Sequence, residues 1–284
     1  MLLAYIPSPE HGVIDVGPLQ LHMYGLMLAI GILVAGWIAQ KRWRAWGYPE
    51  NTITEIAIPV VIGGVLGARI YHLFTGYSWD SGGIVGALKI WEGGLSIWGA
   101  VGGGFIAALV MARVKHVDTL ALMDALAPGV VIAQAIGRWG NWFNQELYGR
   151  PTKLPWGLEI DNPPARYAQY KTFHPTFLYE SLWCLAVFAV LVWAERRFRV
   201  KRGQTFAGYI ALYTFGRIFF EAMRSDPASR ILGVRFNLLL SALLCVFGAI
   251  LWVVYGRTQP VARASEHGDE KEPVPLGDAP DPPA

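Results

Sequence analysis

Seven apolar stretches that are long enough, or nearly long enough, to cross a lipid bilayer dominate this chain. A transmembrane helix needs about 20 mostly apolar residues to span a hydrocarbon core of roughly 30 Å. The stretches are 21–40, 53–74, 94–111, 120–136, 176–194, 206–220 and 236–255. Because 54% of the residues are apolar and only 16% are charged, the composition argues against a soluble domain. We predict an all-α polytopic membrane protein with about seven transmembrane helices. Counts of six or eight stay open, because charges or glycines interrupt the second, third and sixth stretches.

Basic residues are concentrated in every second connection between the predicted spans. Short loops that are rich in Lys and Arg stay in the cytoplasm. Such residues follow the first, third, fifth and seventh spans: Lys41, Arg42, Arg44, Arg113, Lys115, Arg196, Arg197, Arg199, Lys201, Arg202 and Arg257. We therefore expect the N-terminus outside and the C-terminus in the cytoplasm. Residues 1–20 contain no Lys, no Arg and no long apolar run, so we expect no cleavable signal peptide.

Two segments differ in composition from the spans. The long connection 137–175 is rich in aromatic residues and prolines, which suit the membrane interface. It predicts a small extracytoplasmic cap of turns and a few strands. Residues 257–284 are rich in Pro, Asp, Glu, Ala and Gly and almost without aromatic residues, so we expect a disordered cytoplasmic tail.

The first polar cluster stands at the outer end of the fourth predicted span, in the run 137–149. It combines Arg138 with the amides of Asn141 and Asn144 and the carboxylate of Glu146. A planar guanidinium can donate two parallel hydrogen bonds to two oxygens of one phosphate. An asparagine side chain can donate and accept further hydrogen bonds around the same group. The run indicates binding of an anionic head group. The alternative, which is equally open, is structural. The polar side chains would then anchor the chain at the membrane interface, and glycine and asparagine would end the helix.

The second polar cluster forms a stripe on the sixth predicted span. Arg217 and Glu221 are four residues apart and share one helical face with Tyr213 and Arg224. A charge at the centre of a membrane helix costs at least about 2.5–3.5 kcal/mol, so such residues normally face a cavity or a partner and mark function. A self-neutralising pair of Arg217 and Glu221 is the structural alternative, but it leaves Tyr213 and Arg224 unexplained.

Three isolated residues join these clusters as candidates. Tyr24 opens the first span, Arg69 follows the closely spaced glycines of 63–67, and His174 stands before Pro175 at the start of the fifth span. Each has an ordinary explanation. Closely spaced small residues usually allow helices to pack, and a histidine before a helix-starting proline is more often structural than catalytic.

Some chemistries have no motif in this chain. No Gly-x-Ser-x-Gly elbow, His-Glu-x-x-His helix or Cys-x-x-Cys pair occurs, so neither a metal nor a serine nucleophile is expected. Cys184 and Cys245 stand among apolar residues and are expected to serve as packing residues. The net charge of +3 reflects the basic loops and gives no indication of nucleic-acid binding.

From about residue 24 to residue 237, the sequence closely resembles the phosphatidylglycerol–prolipoprotein diacylglyceryl transferases of bacteria. The most specific match is the run with Gly137, Arg138, Asn141, Asn144, Glu146 and Gly149. Supporting matches are Tyr24-Gly25-Leu26, Gly94-Leu95-Ser96, His174-Pro175 with Tyr179-Glu180, and Gly216-Arg217 with Glu221 and Arg224.

The resemblance implies transfer of a diacylglyceryl group from phosphatidylglycerol to the lipobox cysteine thiol in the signal peptide of a prolipoprotein. A thioether forms and glycerol phosphate is released. The resemblance also implies seven helices, a site at the outer face of the bacterial inner membrane and no cofactor. The transmembrane catalytic domain would then comprise residues 1–256, including the cap 137–175, and the tail would comprise residues 257–284.

The resemblance also implies roles for residues. Arg138 and Arg217 would hold the phosphate and offset charge on the leaving group. The catalytic candidates are Arg138, Arg217, Glu221, Tyr24 and His174. The substrate-binding candidates are Arg138, Asn141, Asn144, Glu146, Gly149, Arg69 and Arg224.

One position departs from the family pattern. Many members carry a histidine where this chain has Trp98, and an indole cannot take a proton from the acceptor thiol. Activation would fall to another group, to water, or to the field of Arg138 and Arg217, which would lower the thiol pKa. Glu221 and His174 are candidate bases. The alternative is that the histidine is dispensable across the family.

Two other classes of protein compete with a transferase. A transporter or channel would also place Arg and Glu in spans, but it would need charged sites near the midplane of the membrane. Both polar clusters lie toward the outer ends of their spans, which suits a lipid head group better. A lipid-binding scaffold would leave phosphatidylglycerol intact, and only the family resemblance separates it from an enzyme.

Overall fold

The computed structural model describes residues 5–17, 19–90, 93–226 and 228–260. Its helices in those ranges are α1 (Met23–Ala45), α2 (Thr52–Thr75), α3 (Trp79–Leu88), α4 (Ile97–Val114), α5 (Thr119–Phe143), α6 (Thr176–Arg197), α7 (Gln204–Met223) and α8 (Phe236–Thr258). Short strands form three antiparallel pairs: β1 (Val13–Val16) with β2 (Leu19–His22), β3 (Leu158–Glu159) with β4 (Thr172–Phe173), and β5 (Arg230–Ile231) with β6 (Val234–Arg235).

The seven predicted spans coincide with the seven long helices. Six of them, α1, α2, α4, α5, α6 and α8, are long and apolar enough to cross a membrane. The seventh, α7, carries Gln204, Thr205, Arg217 and Glu221, which lower its hydropathy, and it packs against α5, α6 and α8. The prediction of an all-α polytopic membrane protein is confirmed. The short helix α3 was not expected, because it lies in the connection before the third predicted span.

Small residues let the long helices approach closely. A Cβ atom added at Gly67 of α2 would lie 2.3 Å from the carbonyl oxygen of Gly99 in α4. A Cβ atom added at Gly129 of α5 would lie 2.6 Å from the carbonyl oxygen of Ala35 in α1. Association in a membrane depends on such contacts, because lipid supplies no hydrophobic drive between helices. The glycines near Arg69 therefore serve helix packing.

Helix α5 lies at the centre of the bundle and is the most deeply buried of the six candidate spans. It packs against α1, α6 and α7. The fourth predicted span ended at residue 136, but α5 continues to Phe143, because Gly137 and Gly140 lie inside the helix and do not end it. The polar run 137–149 therefore occupies the last two turns of α5 and the turn that follows.

A buried carboxylate fixes the opposite end of α7. Asp124 of α5 is fully buried and accepts hydrogen bonds from the backbone N–H groups of Gly203 and Phe206, at 2.6 and 2.9 Å. The first N–H groups of a helix have no partner within the helix, and a negative charge there is stabilising. Asp124 thus anchors the start of α7 against α5. It thereby sets the position at which Arg217, farther along α7, meets the other helices.

The connection between α5 and α6 folds over the ends of these helices. It contains β3, β4 and a 3-10 turn over Ala165–Tyr167. A small apolar cluster holds it together, formed by Leu158, Ile160, Phe173 and Phe177. Strands had been expected in this cap. Of the predicted tail 257–284, residues 257 and 258 belong to α8, and residues 261–284 lie outside the described residues.

Candidate active site

Two arginines from different helices meet at one buried carboxylate. Nη2 of Arg138, near the end of α5, lies 2.9 Å from Oε2 of Glu180 in α6. Nη1 of Arg217 in α7 lies 2.8 Å from the same oxygen. The side chain of Glu180 is only 3% exposed. Two guanidinium groups are therefore held together where α5 and α7 end and α6 begins.

A second buried carboxylate continues this network. Oε2 of Glu221 accepts from Arg217 at 2.8 Å and from Arg224 at 3.4 Å, while Oε1 accepts from Arg235 at 2.8 Å and from Asn237 at 3.4 Å. An ionised carboxylate offers about four lone-pair positions. All four positions of Glu221 are occupied. This geometry favours a positioning role for Glu221 over the role of a base.

Asp226 closes the network beyond the end of α7. Its two carboxylate oxygens accept from Nε and Nη2 of Arg224 at 2.7 and 2.8 Å, and Nη2 of Arg235 lies 3.3 Å away. Burial alone would raise the pKa of Asp226. The hydrogen bonds and charge of Arg224, with the charge of Arg235, outweigh burial and lower this pKa below its ordinary value. Asp226 therefore stays ionised at neutral pH.

The connected network contains four arginines and three carboxylates. Its members are Arg138, Glu180, Arg217, Glu221, Arg224, Arg235 and Asp226. These seven side chains together carry one net positive charge. No three His, Cys, Asp or Glu side chains are grouped so that they could hold a metal ion in the part of the chain that the structure describes.

The predicted run after residue 137 joins the network through amides. Nη1 of Arg138 donates to Oδ1 of Asn141 at 3.3 Å, and Nδ2 of Asn141 donates to Oε1 of Glu146 at 2.9 Å. Nδ2 of Asn144 donates to the same oxygen at 3.3 Å. The structure thus brings together all four polar residues that the sequence singled out in this run.

Two tyrosines flank Arg138. The ring of Tyr24 packs on α5 at Gly140, where an added Cβ atom would lie 2.5 Å from Cδ2 of the tyrosine. Tyr24 is also within electrostatic range of Glu146 and Arg138. The side chain of Tyr213 hydrogen-bonds Arg138. The position of Tyr24 therefore depends on the absence of a side chain at residue 140.

His174 lies at the junction of the cap and α6. Its Nδ1 is 3.3 Å from the hydroxyl of Tyr179, which accepts from the indole N–H of Trp156 at 2.9 Å. Burial lowers the pKa of His174 below its ordinary value of 6.5, so the ring is neutral at pH 7. Gly149 packs directly against it, because a Cβ atom at Gly149 would lie 2.7 Å from Cβ of His174.

An open cavity of about 510 Å³ lies beside His174. Its wall is formed by apolar residues of α7 and α8, including Ile218, Phe219 and Leu238, and its polar lining is formed by Arg150 and His174. Ile218 directly follows Arg217 in the chain. A mixed lining of this kind can hold a substrate with an apolar part and a polar end.

Comparison with known proteins identifies the family. The family model for prolipoprotein diacylglyceryl transferases matches residues 11–254. The chain belongs to this family. The phosphatidylglycerol–prolipoprotein diacylglyceryl transferase of Streptomyces griseus is 48% identical over 92% of this chain and 80% of the relative. Transferase 2 of Streptomyces coelicolor is 46% identical over 92% of this chain and 84% of the relative, and the Corynebacterium efficiens protein is 44% identical over 90% and 84%.

The family and the enzyme class predicted from sequence are therefore confirmed. Glu180 is the residue of the site that sequence reasoning did not assign, although it stands in the matched Tyr179-Glu180 pair. Arg235 and Asn237 also went unassigned. A buried acid one turn into a membrane span is a signal that could have found Glu180.

Arg69, a predicted substrate-binding residue, lies apart from the network of Arg138 and Arg217. Its guanidinium donates to the carbonyl oxygens of Gly86 and Ala87 at 2.6 and 2.8 Å, and to those of Gly93 and Gly94 at 2.8 and 3.2 Å. Over the described ranges, no hydrogen bond or ion pair joins it to the network of Arg138 and Arg217. These contacts favour a structural role, in which Arg69 holds the segment between α3 and α4.

Trp98, which stands where many family members carry a histidine, is the second residue of α4. Its ring is 41% exposed and meets the ring of Phe236 edge-on, with centroids 6.4 Å apart. Phe236 lies between Arg235 and Asn237, which both contact Glu221. The tryptophan is thus next to the network, but it brings only an apolar surface and one N–H donor.

Proposed function

We propose that this protein transfers the diacylglyceryl group of phosphatidylglycerol to the lipobox cysteine thiol of a prolipoprotein, forming a thioether and releasing glycerol phosphate. The observation that carries the proposal is the attachment of Arg138 and Arg217 to one oxygen of Glu180. Membership of the family supports the same reaction, since relatives are named for this donor and this acceptor. The roles that follow are assigned on the geometry of the site.

The reaction creates charge at the phosphate. The thiol sulfur attacks the glyceryl carbon that carries the phosphate, the carbon–sulfur bond forms, and the carbon–oxygen bond breaks. The electron pair leaves with the phosphate oxygen, and the thiol proton passes to a base. A phosphodiester with one negative charge becomes a monoester with close to two, since the second pKa of a phosphate monoester is about 6. Arg138 and Arg217 stabilise this added charge.

Glu180 makes the arginines effective before the lipid arrives. Groups that are already oriented toward a developing charge need no reorganisation during the reaction. Glu180 fixes both guanidinium groups, and Glu221 holds Arg217 from its other side. Asn141, Asn144 and Glu146, with the hydroxyl of Tyr24, are suited to bind the glycerol hydroxyls of the head group.

His174 is the base that the geometry favours. Trp98 cannot take a proton, and the lone pairs of Glu221 are already occupied. His174 is neutral because burial lowers its pKa, and it lines the large cavity. With Nδ1–H donated to the hydroxyl oxygen of Tyr179, Nε2 keeps its lone pair and accepts the thiol proton.

The protein is a multi-pass membrane protein, and we propose that it lies in the inner membrane with its N-terminus outside and its C-terminus in the cytoplasm. The basic helix ends lie together at one end of the bundle, where Arg42 pairs with Glu195 and Lys115 with Glu55. Glu180, which holds Arg138 and Arg217, lies near the start of α6, at the opposite end of this helix from Glu195. The positive-inside rule then supports a site that faces outward.

A transfer assay tests the proposal. Purified protein is mixed with phosphatidylglycerol and a lipobox peptide, and mass spectrometry measures thioether peptide and glycerol phosphate. Arg138→Ala and Arg217→Ala should each lower the rate by at least about 100-fold, the usual effect of losing one donor to a developing oxyanion. Arg113→Ala, at an exposed position at the end of α4, is the matched control and should keep the native rate.

A peptide with serine in place of the lipobox cysteine should give no product. Two outcomes count against the proposal: folded native protein that forms no thioether, or arginine variants that react as fast as Arg113→Ala.

A further inference from the structure

A second open cavity, of about 320 Å³, lies beyond the end of α7. Its charged lining is Arg150, Arg166, Arg224, Arg230, Arg235 and Asp226. Five guanidinium groups thus face a space that also meets one carboxylate. A space of this size with a mainly charged lining suits a small polar solute better than an acyl chain.

Among the described residues, three of these arginines have no acidic partner. Arg150 donates to the carbonyl oxygen of Ala222, Arg166 to that of Ser225, and Arg230 only at the 3.5 Å limit to that of Gly233. Over the described ranges, no carboxylate lies within 4 Å of any of the three guanidinium groups. Their positive charge is therefore available to a ligand.

The hairpin of β5 and β6 adds a repulsion that a ligand would relieve. Arg230 and Arg235 are direct partners across this two-stranded ladder. Like charges at directly opposite positions destabilise an antiparallel pair. Asp226 contacts Arg235, but it makes no ion pair with Arg230 in the part of the chain that the structure covers. An anion in the cavity would offset the repulsion.

The cavity is connected to the candidate active site through shared residues. Arg224 and Arg235 both pair with Glu221, which holds Arg217, and both line the cavity. The cavity is thus linked to Arg217 by a chain of ion pairs through Glu221. Guanidinium groups bind phosphate oxygens in pairs, so a small phosphate is the ligand that this lining fits.

We propose that this cavity binds a phosphate monoester, and that its ligand is the glycerol phosphate released by the reaction, held between the active site and the aqueous phase. The inference rests on the proposed function, which supplies this product. The monoester carries more negative charge than the phosphodiester of the donor lipid. An arginine-rich cavity should therefore bind glycerol phosphate more tightly than the phosphodiester head group of the donor lipid.

Direct binding tests the cavity without turnover. Calorimetric titrations measure binding of glycerol phosphate, inorganic phosphate and glycerol to delipidated protein in detergent. The test variant combines Arg150→Gln, Arg166→Gln and Arg230→Gln, three exposed positions. The matched control combines Arg196→Gln, Arg197→Gln and Arg199→Gln, which are exposed at the other end of the bundle. Thermal unfolding establishes that both variants are folded, and the three single variants report on each arginine.

Native protein and the control should bind both phosphates and not glycerol. The test variant should bind glycerol phosphate at least about tenfold more weakly, because each lost charged hydrogen bond weakens binding by about that factor. Added glycerol phosphate should also inhibit transfer by the native protein more strongly than transfer by the variant with only Arg166→Gln and Arg230→Gln, since Arg150 also lines the first cavity. Equal affinity in native protein and test variant would overturn the proposal.

A lipid comparison separates the two sources of phosphate. Native protein and the test variant are placed in bilayers with and without phosphatidylglycerol. If the test variant loses binding of phosphatidylglycerol and keeps binding of glycerol phosphate, the cavity is a lipid site and the proposal is wrong. If native protein forms no thioether and the test variant still loses glycerol phosphate binding, the phosphate site stands and the proposed function fails.

Discussion

Arg138 and Arg217 lie on different helices, yet both donate to a single oxygen atom, Oε2 of Glu180, at 2.9 and 2.8 Å. Because both guanidinium groups are bound to this one carboxylate, the distance between them depends on it. Their joint action on a phosphate therefore depends on a residue that need not touch the substrate.

Replacing Glu180 by glutamine tests this dependence. Glutamine keeps the size of the side chain and removes its negative charge. Arg138 and Arg217 then lose the carboxylate that they share. Loss of one partner from a buried ion pair typically costs about 3–5 kcal/mol, so we expect a clear fall in the unfolding temperature and loss of transfer. Thermal unfolding and the transfer assay measure the two effects.

Glu10→Gln, at an exposed position before β1, is the control for this change and should behave as native protein. Inorganic phosphate should raise the unfolding temperature of Glu180→Gln more than that of native protein, because it replaces the missing charge. An equal rise in both proteins would mean that the two arginines do not form one anion site.

Two glycines of α5 offer a test of how Tyr24 is placed. Gly140→Ala would put a Cβ atom 2.5 Å from the ring of Tyr24, whereas Gly137→Ala would put one 3.7 Å from Leu28, an ordinary contact. We expect Gly140→Ala to destabilise the protein by about 1–3 kcal/mol and to lower the transfer rate. Gly137→Ala should be neutral or stabilising by up to about 1 kcal/mol. The unfolding temperatures and transfer rates of both variants test this expectation. If the two variants behave identically, the placement of Tyr24 does not depend on Gly140.

Sequence alone predicted the features that depend on neighbours in the chain. Long apolar runs indicated the membrane helices, because length and hydropathy suffice for that inference. The grouping of Arg138, Asn141 and Glu146 was predictable, because one helical turn and the loop after it hold all three. Arg217 and Glu221 were predictable as a pair for the same reason.

The missing parts are contacts between distant segments. Glu180 joins α6 to α5 and α7, and Arg235 reaches Glu221 from the start of α8. Such pairs depend on how the helices pack, which no local pattern encodes. Substrate binding by Arg69 stays a prediction. Its guanidinium donates to backbone carbonyls of α3 and of the segment before α4, and no local pattern encodes these contacts.

Asp124 provides a prediction at the far end of α7. Asp124→Ala removes both acceptors from the N–H groups of Gly203 and Phe206 in a buried place. Each unpaired N–H costs about 1–3 kcal/mol, so the variant should unfold at a lower temperature and exchange these amide hydrogens faster. Asp124→Asn keeps one acceptor oxygen, so its unfolding temperature should lie between those of native protein and Asp124→Ala. Asp15→Ala, at an exposed position in β1, is the control, and equal stability of it and Asp124→Ala would refute the anchoring role.

The pH dependence of transfer tests His174 as the base. Folding lowers the pKa of His174 below 6.5, so the neutral, active form predominates above that pH and is lost as the pH falls through the lowered value. The rate constant kcat/KM should therefore be level near pH 7 and decline at a midpoint below 6.5. His174→Ala should lower the rate by about 10²–10⁴-fold, the usual contribution of a general base, and should abolish this decline.

His116→Asn is the matched control for this change. His116 is exposed beyond α4 and has φ 52, a left-handed conformation that asparagine tolerates. This variant should keep the native rate and the native pH profile. If the decline at low pH persists in His174→Ala, the proton goes to another group. Water is one such acceptor, and the field of Arg138 and Arg217 would favour the thiolate beside it.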